Sequence, residues 1–332
     1  MKSNDYMGLA GFIENGFHVE QTTTDAAFYN KMESQSGECL AEVYVPFDSY
    51  KPGHWADRCR CIDFVKSCGT GRILDFGPGD GWPSLIVAPF VARVDGLDAS
   101  GKRVEICRSN AKRMGIDNAF FHRYQPGSNF PFDDNTFDGV MAASSIEQTP
   151  DVEFTVREIY RVLKPGGALR MIYESLDGYK GENECDSWVF KSDSDLVMIL
   201  TFRQIKEMRA SYYVFYIDLS VDEKLLEFSR QHKLPTEAEI NALRPFVRKT
   251  LVCHNYHPNG VEWGRLLEGA GFRNVHATVN TGKICGNFTD KLIKQGREVG
   301  REEFEETLTA LVEICIDITV PLSSNNPITA YK

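Results

Sequence analysis

The chain has 332 residues and a net charge of −10, from 47 acidic and 37 basic side chains. This length allows two domains or one large decorated domain, and 42% hydrophobic with 25% charged residues excludes collagen-like, low-complexity and largely disordered chains. The acidic balance argues against binding of nucleic acid over the whole surface.

Membrane and export signals are not evident in the sequence. The longest apolar runs, Leu196–Leu200 and Tyr212–Ile217, are far too short to span a bilayer. Asn4, Asp5 and Glu14 interrupt the apolar stretch that a signal peptide would need. Nine cysteines without a C-x-x-C pair are typical of free thiols in a reducing compartment. We therefore expect a soluble, cytoplasmic protein with no nucleic-acid partner, no membrane partner and no metal.

The N-terminal part of the chain is mixed in character. A helix is predicted near Thr24–Ser34, and prolines then break the pattern. We interpret residues 1–55 as an N-terminal helical cap segment. Trp55–Cys68 has the apolar spacing of a helix, which Gly69 ends.

From Arg72 onward the pattern alternates between strands and helices. The predicted strands are Ile73–Phe76, Ala92–Leu97, Ala119–His122, Gly139–Ala143 and Ala168–Tyr173, and the predicted helices are Pro83–Phe90, Lys102–Met114 and Val152–Leu163. Alternation at this spacing is typical of a parallel sheet covered by helices on both faces. Residues 56–178 are therefore predicted to form the core.

The alternation stops within residues 179–255, which we interpret as a mostly helical insertion with helices over Asp195–Leu219 and Asp222–Val247. Residues 256–332 are predicted to complete the core. Their predicted elements are a helix at Asn259–Ala270, a strand at Phe272–Val279, an inserted helix at Glu302–Ile318 and a strand at Pro327–Tyr331.

The sharpest motif is Asp75-Phe76-Gly77-Pro78-Gly79-Asp80-Gly81, which follows a predicted strand and precedes a helix. Glycines let the backbone turn tightly and approach a ligand, and the helix N-terminus offers unpaired N–H groups. A dinucleotide fingerprint would need the spacing G-x-G-x-x-G, but Trp82 occupies its third glycine position.

The spacing D-x-G-x-G-x-G instead resembles motif I of the class I S-adenosylmethionine-dependent methyltransferases. Asp98 closes the second strand, where a carboxylate can accept hydrogen bonds from both hydroxyls of a ribose, as it also does in dinucleotide sites. Two later segments also resemble the family: Phe130–Phe132 with Phe137–Val140 before strand four, and Glu158–Gly167, similar to the family's "E..RVLKPGG" turn before strand five.

This resemblance implies an α/β fold with a Rossmann-like, doubly wound, mostly parallel sheet of seven strands, an antiparallel last strand and a helical insertion. It implies S-adenosylmethionine as the cofactor and S-adenosylhomocysteine as its product. A carboxylate beside the glycine loop suits the cofactor's ammonium group. The cofactor-binding residues that it implies are Asp75, Gly77, Pro78, Gly79, Gly81, Trp82, Asp98, Ala99, Gln125 and Ser144.

The sequence departs from the family's pattern in two places. Where members often carry an adenine-binding aspartate after strand three, this chain offers Gln125 or Ser128. Where many small-molecule members carry a histidine after strand four, the chain has Glu147-Gln148-Thr149-Pro150, so no histidine base is available there.

Four residues are candidates for catalysis on the acceptor: His254, His257, Glu147 and Tyr173. The two histidines lie where the insertion rejoins the core, and a base, an acceptor contact, a metal ligand pair and simple loop packing are all open for them. Glu147 and Tyr173 follow strands four and five, at the edge where open α/β sheets bind ligands.

These features predict a methyltransferase that moves a methyl group to a small-molecule acceptor by in-line displacement. Residues 1–55 and 179–255 are expected to cover the crevice at the strand ends. The alternatives are a protein methyltransferase and a non-catalytic cofactor-binding subunit, and a homodimer is left open. The tetrad typical of amino-group methylation is absent, since the chain has Ala143-Ser144-Ser145-Ile146 there.

Overall fold

The computed structural model describes residues 3–32, 48–179, 183–230, 233–297 and 301–332. The chain divides into two compact units, which we describe separately. The smaller unit comprises Met1–Gly37, Glu147–Pro150 and Glu174–Asn259, and the larger unit comprises Glu38–Ile146, Asp151–Tyr173 and Gly260–Lys332.

The described elements are numbered here in chain order. The helices are α1 (Ser3–Gly16), α2 (Thr24–Ala27), α3 (Pro52–Cys68), α4 (Ser84–Val87), α5 (Gly101–Met114), α6 (Val152–Val162), α7 (Glu227–Arg230), α8 (Glu237–Leu243), α9 (Gly260–Gly269), α10 (Thr281–Lys294) and α11 (Arg301–Asp317). The strands are β1 (Val19–Gln21), β2 (Arg72–Phe76), β3 (Arg93–Asp98), β4 (Ala119–Arg123), β5 (Phe137–Ala143), β6 (Leu163–Ile172), β7 (Asn183–Lys191), β8 (Leu196–Gln204), β9 (Arg209–Ile217), β10 (Val247–Tyr256), β11 (Arg273–Thr278), β12 (Thr319–Val320) and β13 (Ile328–Tyr331).

The larger unit contains a sheet with the strand order β12-β11-β13-β6-β5-β2-β3-β4. Strands β6, β5, β2, β3 and β4 pair in parallel, whereas β13 runs antiparallel to both β6 and β11. This is the predicted Rossmann-like α/β sheet with an antiparallel last strand. The two-residue strand β12 adds an eighth strand to the seven that were predicted.

A buried ion pair joins a helix of the larger unit to its sheet. Arg170 of β6 donates two hydrogen bonds to Asp63 of α3, at 2.8 and 2.7 Å, and a third to the hydroxyl of Thr329 on β13 at 2.9 Å. Thr281 at the start of α10 donates to the same carboxylate at 2.8 Å. Both charged side chains are almost completely buried, so their mutual pairing offsets the cost of removing them from water.

Helix α10 was not predicted from the sequence. It packs closely against α3. A Cβ added to Gly286 would lie only 3.2 Å from the Cβ of Ala56, so the glycine permits this close approach. Cys59 and Cys285 are buried in this helix contact. The seven cysteines whose side chains are described are free thiols.

The smaller unit contains a five-stranded sheet of order β1-β10-β9-β8-β7. β7 to β10 form antiparallel neighbours, and β1 pairs in parallel with β10. The prediction of a mostly helical insertion is therefore wrong. Asp195–Leu219 is occupied by β8 and β9, and Asp222–Val247 holds only the short helices α7 and α8 before β10 begins.

Burial on both faces of this sheet explains the misassignment. One face packs Ile13, Phe202 and Phe215 together, and the other packs Phe28 against Ile199 and its neighbours. Because both faces are apolar, the strands carry nearly continuous hydrophobic runs without the alternation that marks a half-exposed strand.

The N-terminal segment is also less helical than predicted. Helix α1 is present, but Val19–Gln21 forms a strand, and the predicted helix near Thr24–Ser34 contains only the short α2 and a 3-10 turn at Tyr29–Lys31. Ser34 lies outside the described residues. The helix from Pro52 belongs to the larger unit.

Candidate functional site

The glycine loop between β2 and α4 has the backbone shape that only glycine adopts readily. Gly77, Gly79 and Gly81 have φ values of +74°, +57° and +109°. A Cβ placed on Gly77 would lie 2.4 Å from the Cβ of Ser145, which leaves no room for any side chain. The loop at the carboxyl end of β2 therefore requires glycine; Gly77 is half-buried, and Gly79 and Gly81 are buried.

Asp75 is the last but one residue of β2 and is completely buried. Its Oδ2 accepts hydrogen bonds from the hydroxyl and the backbone N–H of Ser84, at 2.6 and 3.2 Å. Its Oδ1 is buried and has no hydrogen-bond partner among the described residues. Burial raises the pKa of Asp75 to about 7, while the Ser84 hydrogen bonds pull it down and the charge of Asp98 pushes it up.

Asp98 lies at the end of β3 and holds the glycine loop. Its Oδ2 accepts the N–H of Gly79 at 3.2 Å, and its Oδ1 accepts the N–H of Ser100 at 2.8 Å. The neighbouring Leu97 carbonyl accepts the N–H of Gly77 at 2.9 Å. The carboxylate is half-buried. Ala99, which follows it, is half-buried as well.

One face of α5 contacts the glycine loop and fixes its position. These contacts were not predicted from the sequence. Arg103 forms a buried ion pair with Asp80. Asn110 donates to the Asp80 carbonyl at 3.0 Å, and the Cys107 thiol lies 3.2 Å from the Gly79 carbonyl. The positions of Arg103, Cys107 and Asn110 at i, i+4 and i+7 are the signal that could have revealed this face.

An aromatic group stands beside Asp98. The ring of Tyr124 lies 5.8 Å from that of Phe76 and 5.5 Å from that of Phe130, and the Tyr124 N–H donates to the Asp98 carbonyl at 3.1 Å. Sequence analysis did not select Tyr124, although it selected its neighbour Gln125. The side chain of Gln125 is exposed, and its carbonyl closes a turn with Ser128.

The remaining predicted cofactor contacts have different environments. Pro78 is buried within the loop, and Trp82 is half-buried with its ring edge-on to Phe64 at 6.5 Å. Ser144 follows β5, is exposed, and has a left-handed φ of +51°. Tyr173 packs against Trp263 of α9 at 5.9 Å, and its hydroxyl lies close to Gly260.

The other catalytic candidates belong to the smaller unit. Glu147 and His257 are both buried, and each bonds to the backbone of Glu174. His254 is exposed, and its Nδ1 lies 2.9 Å from the hydroxyl of Ser211. The two histidines therefore differ in burial and in partners.

The described part of the chain contains neither a cluster of metal ligands nor a membrane-spanning helix. No group of three or more His, Cys, Asp or Glu side chains there is arranged to hold a metal ion. No described helix is long and apolar enough to cross a bilayer.

Comparison with known proteins gives a consistent result. A family model described as "Methyltransferase domain" matches residues 74–171. The YrhH protein of Bacillus subtilis, named as a methyltransferase, is 34% identical over 126 residues, which are 37% of this chain and 67% of that protein. The chain belongs to the class I S-adenosylmethionine-dependent methyltransferases.

Other relatives of this methyltransferase match over shorter shares of their length. The uncharacterized methyltransferase YcgJ of Bacillus subtilis is 35% identical over 103 residues, 30% of this chain and 40% of that protein. The ubiquinone/menaquinone biosynthesis C-methyltransferase UbiE of Geotalea daltonii is 33% identical over 106 residues, 31% of this chain and 45% of that protein. The similarity thus spans less than half the length of these two relatives.

The site of this methyltransferase suits the cofactor that its family name implies. The unpartnered Oδ1 of Asp75 is a buried acceptor that a cationic donor would satisfy. Any Cβ at Gly77 would clash with Ser145, so the loop backbone lies directly against that residue. Asp98 presents a half-buried carboxylate next to the loop. Carboxylate acceptors of this kind fit a positively charged amino-acid cofactor better than a negatively charged pyrophosphate.

The ionisation of Asp75 gives a testable pH dependence. Burial raises the pKa of Asp75 to about 7 in the folded chain, above the ordinary aspartate value of about 3.9, so the folded state binds more protons between these limits. Stability contributed by this group is therefore lost as pH rises from about 4 to 7, by roughly 4 kcal/mol at most. Asp75→Asn should remove that loss.

The measurement is urea unfolding of the parent and the variant at pH 5 and pH 8. We expect the fall in unfolding free energy between the two pH values to be smaller in Asp75→Asn. Asp133→Asn, at an exposed position of the same unit, serves as the control and should keep the parent's pH dependence. An Asp75→Asn variant with the parent's full pH dependence would contradict the assignment.

Proposed function

We propose that this chain transfers the methyl group of S-adenosylmethionine to a small-molecule acceptor. The observation that carries the proposal is the glycine loop, whose Gly79 N–H is tied to the carboxylate of Asp98 at 3.2 Å. This contact supports a preformed site at the carboxyl ends of β2 and β3, where open α/β sheets bind their ligands.

The proposed roles follow from the geometry of each residue. Asp98 accepts the ribose hydroxyls, Asp75 Oδ1 receives the ammonium group, and the Gly77, Gly79 and Gly81 backbone lies against the amino-acid tail. Pro78, Trp82, Ala99, Gln125 and Ser144 remain proposed cofactor contacts.

When bound, S-adenosylmethionine supplies a methyl group that its sulfonium has already activated. The protein's contribution is therefore mainly to bind and align, and effective molarities allow about 7–11 kcal/mol of the barrier to come from alignment. Asp75, Asp80 and Asp98 surround the loop, with Arg103 as a buried cation beside them. An excess of carboxylates favours a cationic ligand.

We propose that the smaller unit recognises the acceptor. The chain passes from the larger to the smaller unit directly after Ile146 and again after Tyr173, which follow the carboxyl ends of β5 and β6. This connectivity supports the expectation that residues 1–55 and 179–255 serve the acceptor. His254, His257, Glu147 and Tyr173 remain the proposed residues for acceptor chemistry.

A small-molecule acceptor is supported by the charge balance and by the relative from Geotalea daltonii, which is named for quinone biosynthesis. Methylation of a protein, and cofactor binding without catalysis, are the alternatives. A transfer assay with methyl-labelled S-adenosylmethionine and a fractionated cell extract separates the three. Label in the small-molecule fraction supports the proposal, label in protein favours the first alternative, and no transfer favours the second.

Cofactor choice is tested by calorimetry. We expect S-adenosylhomocysteine to bind and to stabilise the chain by roughly 2.7 kcal/mol at a hundredfold excess over its dissociation constant. NAD should not bind, because Trp82 replaces the glycine that a dinucleotide fingerprint needs. Binding of NAD without binding of S-adenosylhomocysteine would overturn the proposed function.

A further inference from the structure

Three titratable side chains meet inside the smaller unit: Glu147, Glu174 and His257. Glu147 and His257 are 0% and 1% exposed. Oε1 of Glu147 accepts the backbone N–H of Glu174 at 2.7 Å, and Nδ1 of His257 lies 3.3 Å from the Glu174 carbonyl oxygen. Both side chains are therefore fixed to the backbone of one residue.

The contacts of His257 define its protonation pattern. A carbonyl oxygen can only accept, so Nδ1 carries the proton in the contact with Glu174. Burial lowers the pKa of His257, Glu174 opposes this shift and Arg203 adds to it, so the ring is neutral near pH 7. Nε2 then presents a lone pair, and it is buried without a partner among the described residues.

Glu147 presents a second unsatisfied atom. Its Oε2 is buried and unpartnered among the same residues. Burial raises the pKa of Glu147 to about 7, against the effect of the hydrogen bond from Glu174, so a large fraction carries a proton near neutrality. The site thus combines a hydrogen-bond acceptor at His257 with a donor at Glu147. Unsatisfied buried groups of this kind are costly unless a ligand pairs with them.

Gln148, the residue after Glu147, connects to an aromatic cluster of the smaller unit. Oε1 of Gln148 accepts from Asn255 at 2.9 Å, and its side chain also bonds to Tyr212. The Tyr212 ring lies 5.9 Å from Phe28, and Trp188 lies 6.2 Å from Phe28 on the same face of the sheet. Tyr212 and Trp188 are half-buried, so a flat apolar ligand can pack against their rings.

We propose that this cluster is an acceptor-recognition site, and that it takes a ring-bearing compound whose hydroxyl group pairs with Nε2 of His257 and Oε2 of Glu147. A hydroxyl both donates and accepts, as these two atoms require. An ammonium only donates, a carboxylate only accepts, and a thiol does both weakly. The inference rests on the proposed function in naming the class of acceptor. Glu174 is a positioning residue, which the hydroxyl of Tyr179 holds at 2.8 Å.

The test measures binding of three probes to the full chain with S-adenosylhomocysteine present. The probes are 2-naphthol, naphthalene-2-thiol and naphthalene, which share one ring system. We expect 2-naphthol to bind at least tenfold more tightly than the other two. His257→Gln should reduce 2-naphthol binding to the level of naphthalene and leave naphthalene binding unchanged. His276→Gln, at a half-buried histidine of β11 in the larger unit, should change neither.

Two further measurements exclude a merely structural effect. Glu147→Gln keeps an acceptor for the Glu174 N–H and offers an N–H donor, so it should retain 2-naphthol binding within about threefold, whereas Glu147→Ala should lose it. Affinity of the parent for 2-naphthol should fall as pH drops and His257 becomes charged. Glu174, Arg203 and Glu147 are the charged groups that act on this titration.

The outcomes separate this inference from the proposed function. Failure to bind S-adenosylhomocysteine would overturn the proposed function. Normal S-adenosylhomocysteine binding with equal affinities for 2-naphthol and naphthalene, including no binding of either, would overturn the inference alone. Unchanged 2-naphthol binding in a folded His257→Gln variant would overturn it as well. If His257→Gln does not fold, the comparison of Glu147→Gln with Glu147→Ala and the pH dependence of 2-naphthol binding test the inference instead.

Discussion

Replacing Arg170 with methionine is expected to lower the free energy of unfolding of the larger unit by about 3–5 kcal/mol. The buried carboxylate of Asp63 would then lack a positively charged partner. Arg170 gives that carboxylate two hydrogen bonds, at 2.8 and 2.7 Å. The hydroxyls of Ser67 and Thr281 would remain as its only donors among the described residues, and neither carries a charge.

The measurement is urea denaturation followed by far-UV circular dichroism. Arg157→Met is the matched control, since Arg157 forms an exposed ion pair with Glu153 at 3.6 Å and its loss should cost less than about 1 kcal/mol. A double variant, Asp63→Leu with Arg170→Met, should recover part of the stability because it removes both charges. Equal effects of Arg170→Met and Arg157→Met would refute the role assigned to the buried pair.

Asp98→Ala is expected to weaken S-adenosylhomocysteine binding at least tenfold in a chain that still folds. The variant removes the two charge-assisted hydrogen bonds that we propose Asp98 makes to the ligand, each worth about 1.5–3 kcal/mol. The variant also frees the N–H of Gly79, so the glycine loop loses the contact that holds it to β3. Both effects act in the same direction.

Calorimetry with S-adenosylhomocysteine measures the loss, and a second variant divides it into two parts. Asp98→Asn keeps one acceptor oxygen but removes the charge, so it should lie between the parent and Asp98→Ala. Hydrogen exchange at the amides of Gly79 and Ser100 reports loop anchoring separately. Asp117→Ala, at an exposed aspartate before β4, is the control and should bind normally. An Asp98→Ala chain with unchanged affinity would exclude Asp98 from the site.

The sheet of the larger unit was predictable because its motifs are local. The glycine loop must follow a strand, and helix caps and glycines mark each following element, so β2 to β6 could be located to within a few residues. The positive φ values at Gly77, Gly79 and Gly81 are what the sequence spacing required. Arg103 and Tyr124 were missed because their roles depend on tertiary contacts that no short pattern encodes.

The smaller unit was misassigned for a different physical reason. Strands β8 and β9 are buried on both faces, so periodicity could not separate a strand from a buried helix. The density of β-branched and aromatic residues in Tyr212–Ile217 was the available signal, and it favoured a strand. The tight turn between β8 and β9, where Met208 has a φ of +50°, contains no glycine or proline that would predict a turn.

The burial of Glu147 and His257 could not be inferred from sequence either. Their partner Glu174 is distant from both along the chain, and only the fold brings its backbone to them. The sequence analysis treated the two histidines as one cluster, whereas in the structure His254 is exposed and His257 is buried.

The position of β13 has a consequence for how the chain acquires its structure during synthesis. Residues 328–331 lie in the middle of the larger sheet, between β6 and β11, and pair with both. Until a ribosome has produced these residues, β6 ends the growing sheet as an unpaired edge, and β11 has no strand to join it to the others. Non-local pairing of this kind slows folding and leaves edges open to wrong partners. The two parts of the larger sheet are therefore joined only when β13 inserts between β6 and β11.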